Sequence, residues 1–192
     1  MYLKRDKYME VLRLYTGNYS ARFYLREIGK LSGLPLKTTQ NAIGYLEKMG
    51  ILKSVLEGKN KYFRLNPDNV MTRLQLLQAE VYKTTMFLER YQAFSTFLKE
   101  VRTNTPLIVF GSFSNFAAKK DSDLDILVIA GEGFLLPTHL IPNRVHEIRL
   151  SEKEFMRATK NKEAIMKEIE DRHVILNNHS FYVNAMWSLN EK

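Results

Sequence analysis

Cysteine is absent from this 192-residue chain, which excludes disulfides, zinc–thiolate centres and cysteine nucleophiles and fits a reducing interior. No stretch approaches the roughly 18 apolar residues of a membrane span. The opening MYLKRDKYMEVLRLY lacks the continuous apolar core of a signal peptide. The expectation is a soluble cytoplasmic protein with no membrane partner. The phosphate-binding patterns G-x-x-x-x-G-K-[ST] and G-x-G-x-x-G are missing. His139, His146, His173 and His179 share no metal spacing, so no zinc site is expected. No internal repeat or low-complexity segment occurs.

Hydrophobic residues make up 45% of the chain, enough for a real core in one large domain or two small ones. Charge separates these options. Residues 1–70 hold 13 Lys plus Arg against 6 Asp plus Glu, whereas residues 71–192 hold 16 against 15. Nearly all of the net +8 therefore lies in the first third. This asymmetry suggests two modules, the first suited to an anionic partner such as nucleic acid, the bland reading being a solvated lysine-rich face.

Tyr8, Val11, Leu12 and Tyr15 recur at helical spacing before Gly17-Asn18, and Leu25, Ile28 and Leu31 mark one face of a second helix ended by Gly33. Pro35 suits the opening of a third helix with Thr39, Ala42, Ile43 and Leu46 inward and Gly50 as its stop. Two strand-like runs around Glu57-Gly58-Lys59-Asn60 then read as a hairpin. From Asp68 to Arg102 neither proline nor glycine interrupts a broken apolar stripe. That segment reads as one long helix, or two with a bend near Lys83–Thr85, which could join the modules, pair with its twin in a homodimer, or begin the second domain.

The second module has LIVF at 107–110 and ILVIA at 126–130 as buried strand candidates, and RVHEIRL at 144–150 alternates. Helices follow from about 151 to 172, opened by the capping-box pair Ser151 and Glu154. The fold class expected is α+β with two domains: residues 1–66, a connecting helical segment 67–102, and residues 103–192 forming a small mixed β-sheet flanked by helices.

GSFSNFAAKKDSDLD, residues 111–125, carries the chemistry. In an extended segment Asp123 and Asp125 point to one side with Leu124 inward, and two carboxylates on one side suit Mg²⁺, which prefers oxygen ligands. Glu147 could add a third carboxylate if its strand is a neighbour, and metals so held stabilise a displacement at phosphorus. Gly111 follows a strand and Ser112 opens a helix, so the backbone can approach a phosphate there. Lys119 and Lys120 could add positive charge near the phosphates. The structural alternatives are a turn before a strand for the aspartates, and for Glu147 an exposed strand residue paired with Arg149 or Arg144.

This motif, Gly-Ser, ten residues, Asp-Leu-Asp, then Glu147, resembles the minimal nucleotidyltransferase family of the polymerase-beta-like superfamily, over roughly residues 85–190. The resemblance implies Gly111 and Ser112 as the triphosphate-binding pair, Asp123 and Asp125 as magnesium ligands and Glu147 as the third acidic, catalytic position. Family members often have a basic residue then glycine where this chain has Asn115-Phe116, and commonly aspartate at the third position. The family's activity implies transfer of a nucleoside monophosphate, from ATP or another nucleoside triphosphate, to a hydroxyl with release of pyrophosphate. Some members are antitoxins that adenylylate a partner toxin, and others modify small molecules.

LREIGKLSGLPLKTTQNAIGYLEKMGIL, within the helix–helix–turn–helix–hairpin order, resembles the winged helix-turn-helix family over roughly residues 4–66. It implies DNA contacts from Lys37, Thr38, Gln40, Asn41 and Tyr45 on the third helix and from Lys59 and Lys61 in the wing. The third helix exposes no arginine for reading guanine. The rival function is a DNA-binding regulator whose second domain binds nucleotide or dimerises without turnover. A third is an RNA-modifying transferase. The acceptor is not encoded in any readable motif.

Overall fold

The computed structural model describes residues 5–101, 104–131 and 133–190. It is a mixed α+β chain with two compact units, residues 1–82 with 186–192, and residues 83–185.

In the first unit, α1 (Lys7–Leu12) starts where the Asp6 carboxylate accepts hydrogen bonds from the backbone N–H of Tyr8 and Met9 at 2.8 and 3.1 Å. That side chain satisfies donors the first helical turn leaves unpaired. Strand β1 (Arg22–Tyr24), too short to be read from periodicity, leads into α2 (Leu25–Ser32). Helix α2 buries Ile28, Gly29 and Ser32, while Leu31 is exposed, so its inward face is rotated from the Leu25, Ile28, Leu31 face the spacing suggests. Gly29 permits this, since a β-carbon there would already meet the Thr39 hydroxyl of the next helix at 3.4 Å.

Helix α3 (Leu36–Lys48) buries Thr39, Ala42, Ile43 and Leu46, the expected stripe. A two-residue loop joins β2 (Leu52–Glu57) to β3 (Asn60–Leu65), and β3 lies between β1 and β2 in an antiparallel three-stranded sheet. The Tyr15 hydroxyl donates to the Phe63 carbonyl at 3.0 Å, tying the segment after α1 to this sheet.

Helix α4 (Val70–Arg90) is continuous through Lys83–Thr85. The break from α5 (Ala93–Glu100) falls instead at Tyr91–Gln92, and no glycine or proline makes it. Aromatic packing accompanies it. Tyr91 sits 5.0 Å from Phe113 and 4.9 Å from Phe87, and Phe94 sits 4.8 Å from Phe87, so the chain turns where these rings share one core.

The second unit contains a four-stranded mixed sheet in the order β6-β5-β4-β7. Strands β4 (Leu107–Phe110) and β5 (Leu124–Ile129) are antiparallel and lie in its centre. On one edge β6 (Val145–Leu150) runs parallel to β5, and on the other β7 (Val174–Asn177) runs antiparallel to β4. Leu107, Val109, Leu124, Ile126, Val128, Val174 and Leu176 pack with Phe87, Phe94, Phe97 and Phe113 in one buried cluster. A single helical turn, α6 (Gly111–Ser114), follows β4. Helix α7 (Glu152–Lys160) begins at the Ser151–Glu154 capping box, and α8 (Ala164–Asp171) and α9 (His179–Asn190) complete the helices.

Candidate active site

Strand pairing places the chain around Asp125. Phe110, the last residue of β4, is opposite Asp125 of β5. Gly111 follows with φ of 66°, a left-handed conformation that only glycine adopts at low cost. A β-carbon on Gly111 would stand 2.4 Å from Oδ2 of Asp125, so backbone and carboxylate touch. Ser112, half-buried, lies in the first turn after this contact. Ser114 locks that turn, its hydroxyl reaching the carbonyls of Gly111 at 2.9 Å and Arg172 at 3.1 Å.

The turn ends at Phe116, whose φ of 58° is also left-handed. This is the position where the resemblance leads one to expect glycine. The backbone keeps the conformation a glycine would favour, and the phenylalanine ring lies on the aromatic core, 6.4 Å from Tyr91 with an interplanar angle of 14°. At position 116 the departure from the expected glycine thus adds a packed ring while the backbone stays in the left-handed region.

Lys119 and Lys120 are exposed in the following loop, and Asp123 is exposed at its end. Asn143, ahead of β6, ties the loop down: its amide donates to the carbonyls of Lys120 at 3.1 Å and Ser122 at 2.9 Å. The Leu124 N–H donates to the Arg144 carbonyl at 2.8 Å, which starts the parallel pairing. No residue signal pointed to Asn143, because its role depends on two strands being neighbours.

The β5–β6 register pairs Asp125 with His146 and Ile126 with Glu147. Paired residues of parallel strands share a face and alternate along the strand. The strands are neighbours, as the third-carboxylate expectation required, yet Glu147 lies on the face of buried Ile126, away from Asp125. This corrects the assignment of Glu147 as a ligand beside the aspartates. Glu147 is ion-paired with Arg149, and with Thr138, His139, Asn143 and Val145 it lines a shallow hollow on its own face.

His146 stands on the aspartate face instead. Its Nδ1 lies 3.1 Å from Oδ1 of Asp125, and the imidazole is 67% exposed against 29% for the aspartate. The two oxygens of Asp125 thus have different surroundings, Oδ1 an imidazole and Oδ2 the space beside the Gly111 backbone where a β-carbon cannot fit. Among the described residues no group of three or more His, Cys, Asp or Glu side chains is gathered to hold a metal ion. Asp123 and Asp125 remain the candidate carboxylates for Mg²⁺, an ion commonly held by one or two carboxylates together with phosphate oxygens and water.

In the first unit, an open groove of about 850 Å³ runs between α3 and the β2–β3 hairpin. Gln40, Lys59 and Lys61 line it together with Arg26 of α2, which the sequence reading did not include. Lys61 is ion-paired with Glu47 at 3.0 Å, so its charge is already partly met within the groove. Glu47 is held below the usual carboxylate range, first by the Ser54 hydroxyl and then by Lys61. Lys37 and Asn41 are exposed and Thr38 half-buried on the same helix, outside the lining of this groove. Tyr45 turns elsewhere, its ring 4.6 Å from that of Tyr8.

No helix of the described residues is long and apolar enough to cross a membrane. Comparison with curated proteins finds no match, and comparison with solved structures finds none. Comparison with family models matches residues 92–174 to the nucleotidyltransferase domain, a span that takes in α5, β4, α6, β5, β6, α7, α8 and the first residue of β7, and with them Gly111, Asp123, Asp125 and His146.

Proposed function

We propose that the chain transfers a nucleoside monophosphate, with ATP as donor, to a hydroxyl of a protein or nucleic-acid acceptor. The observation that carries this reading is the contact of Gly111 with the Asp125 carboxylate inside the segment matched to a nucleotidyltransferase domain. Glycine's lack of a side chain brings the chain at the start of this turn against the carboxylate, so phosphates held at the turn and a cation held by the aspartate would lie side by side. Gly111 and Ser112 would hold the phosphates, with Lys119 and Lys120 on the loop adding positive charge. Asp123 and Asp125 would hold Mg²⁺, which when bound offsets the negative charge that builds on the phosphate oxygens.

The acceptor oxygen attacks the α-phosphorus, and the bond from that phosphorus to the oxygen bridging to the β-phosphate breaks. Pyrophosphate leaves in line with the attack, and the hydroxyl proton is released. No covalent enzyme intermediate is required. Glu147, on the opposite face, takes no part in this proposal.

The first unit supports a second element of the same reading: a winged helix-turn-helix domain that binds duplex nucleic acid. Its helix order, the hairpin beside α3, and the groove bearing Arg26, Gln40, Lys59 and Lys61 favour it. It would bring the transferase to DNA, or serve a regulator in which nucleotide is only an effector.

Pyrophosphate release from magnesium ATP decides between transfer and regulation. Release with candidate acceptors that disappears in Asp125→Asn, while the variant keeps its circular dichroism and melting behaviour, supports transfer. Absence of release with every triphosphate and acceptor tried, alongside salt-sensitive DNA binding, would favour the regulator.

A further inference from the structure

Asp123 and Asp125 are the carboxylates of the proposed phosphate site, and the β5–β6 register decides what stands next to Asp125. Position 146 is the β6 residue paired with Asp125, and it is a histidine. Among the described residues β6 is the edge of the sheet, and none of them forms a further strand on that side. The nearest acidic residue on β6, Glu147, faces the other way and is engaged with Arg149. The imidazole also engages Oδ1 of Asp125 at 3.1 Å, so a cation binding to that oxygen would share it with His146.

Affinity for a hard divalent cation follows the number of charged oxygen ligands and how firmly they are held. Here the protein offers two carboxylates, one exposed on a loop and one engaged by a histidine. We infer that the nucleotide-free protein does not hold a divalent cation at Asp123 and Asp125, that the cation enters together with the triphosphate, and that His146 sets this order by occupying the position from which a carboxylate would complete the site. The inference rests on the nucleotide-binding reading above and deepens it. Nucleotide and metal would bind as a unit, so their affinities are coupled.

The test uses Mn²⁺ as the probe, with the full chain alone, followed by the electron paramagnetic resonance signal of the free ion, and with a non-hydrolysable ATP analogue. The wild type alone is expected to leave the signal unchanged up to roughly 10⁻³ M. Because the analogue alone chelates Mn²⁺ and removes free-ion signal, its arm is read by equilibrium dialysis: near one ion or more should be retained per chain with the analogue, and Asp125→Asn should lose that retention. His146→Asp should bind Mn²⁺ without nucleotide at least about tenfold more tightly than wild type, since it adds a charged oxygen ligand. His146→Asn, which adds no charge, should not. The exposure of position 146 lets these side chains be accommodated, and circular dichroism checks it.

Micromolar Mn²⁺ binding by the nucleotide-free wild type that vanishes in Asp125→Asn would overturn the inference alone. So would a folded His146→Asp variant with unchanged Mn²⁺ affinity, or an equal gain in His146→Asn. Failure of the wild type to bind the analogue in the presence of Mn²⁺ would instead overturn the nucleotide site itself, and the inference with it.

Discussion

Gly111 and Asp125 touch: a β-carbon on the glycine would lie 2.4 Å from Oδ2 and 3.3 Å from the carboxyl carbon of the aspartate. The site is therefore sensitive to the smallest possible addition of volume. Alanine at 111 would face both a left-handed φ of 66° and this clash. Gly111→Ala is expected to cost about 1–3 kcal/mol of stability from backbone strain. It should also weaken binding of an ATP analogue by about tenfold or more, equivalent to about 1.4 kcal/mol. Thermal unfolding and isothermal titration check the two separately, and wild-type analogue affinity in the variant would remove Gly111 from the site.

Phe116 adopts a conformation suited to glycine but contributes its ring to the core. In Phe116→Gly, relief of the backbone is worth about 1 kcal/mol. Loss of a half-buried phenylalanine costs more, since full burial of such a ring is worth about 1.5–3 kcal/mol and the added glycine also loosens the unfolded chain. The expected net effect is a destabilisation of about 1–2 kcal/mol. Urea unfolding measures it, and a stabilised variant would show that the strain outweighs the packing.

Asn143 spends both amide hydrogens on the loop that ends at Asp123. Asn143→Ala removes two hydrogen bonds, each worth about 0.5–1.5 kcal/mol. Amide exchange should accelerate across residues 119–123, and kcat should fall more than KM rises, because the bonds position Asp123 without touching substrate. Unchanged exchange in the loop would show that other contacts hold it.

In the groove of the first unit Lys61 is ion-paired with Glu47, whereas Arg26 and Lys59 line the groove with no acidic partner among the described residues. Each of Arg26→Ala and Lys59→Ala is expected to reduce the slope of log affinity for duplex DNA against log salt by about 1. Lys61→Ala should reduce it less. Fluorescence anisotropy over a salt series reads all three, and equal slopes in every variant would remove the groove from the nucleic-acid interface.

Glu47 ionises more readily in the folded protein than in the unfolded chain, through Ser54 and Lys61. The stabilisation is present above the ordinary carboxylate pKa of 4.5 and is lost as pH falls through the lower folded value. Glu47→Gln should therefore flatten the acid limb of stability against pH below that range while leaving little change in slope near neutrality. Denaturant unfolding between pH 3 and 7 checks the direction, and an acid limb identical to wild type would show that Glu47 contributes nothing to it.

The sequence was most legible where local chemistry decides structure. Pro35, the 3.6-residue stripe and Gly50 together define α3, and the Ser151–Glu154 pair opens α7. The alternation of residues 145–150 marked a strand but not which set of side chains would meet Asp125. That choice depends on which β5 residue each β6 residue pairs with, a tertiary relation that Val145, Glu147 and Arg149 do not encode alone. For the same reason the spacing of His146 does not mark it as the neighbour of Asp125. Strand β1 was hidden by its three-residue length, and the α4–α5 break by the absence of any glycine or proline at Tyr91–Gln92. Arg26 escaped notice because α2 presents it to a groove built largely from other elements.

The alternation of faces along β6 also constrains how this protein could change over time. Bringing Glu147 round to the aspartates would require inserting or deleting a residue, which would turn every other side chain of the strand inside out. Replacing histidine by aspartate at position 146 needs only a single nucleotide change in either histidine codon. The chain thus sits one heritable step from a differently charged face beside Asp125, and a mutational scan of this strand under selection for the proposed nucleotidyl transfer would reach it through position 146 before any other.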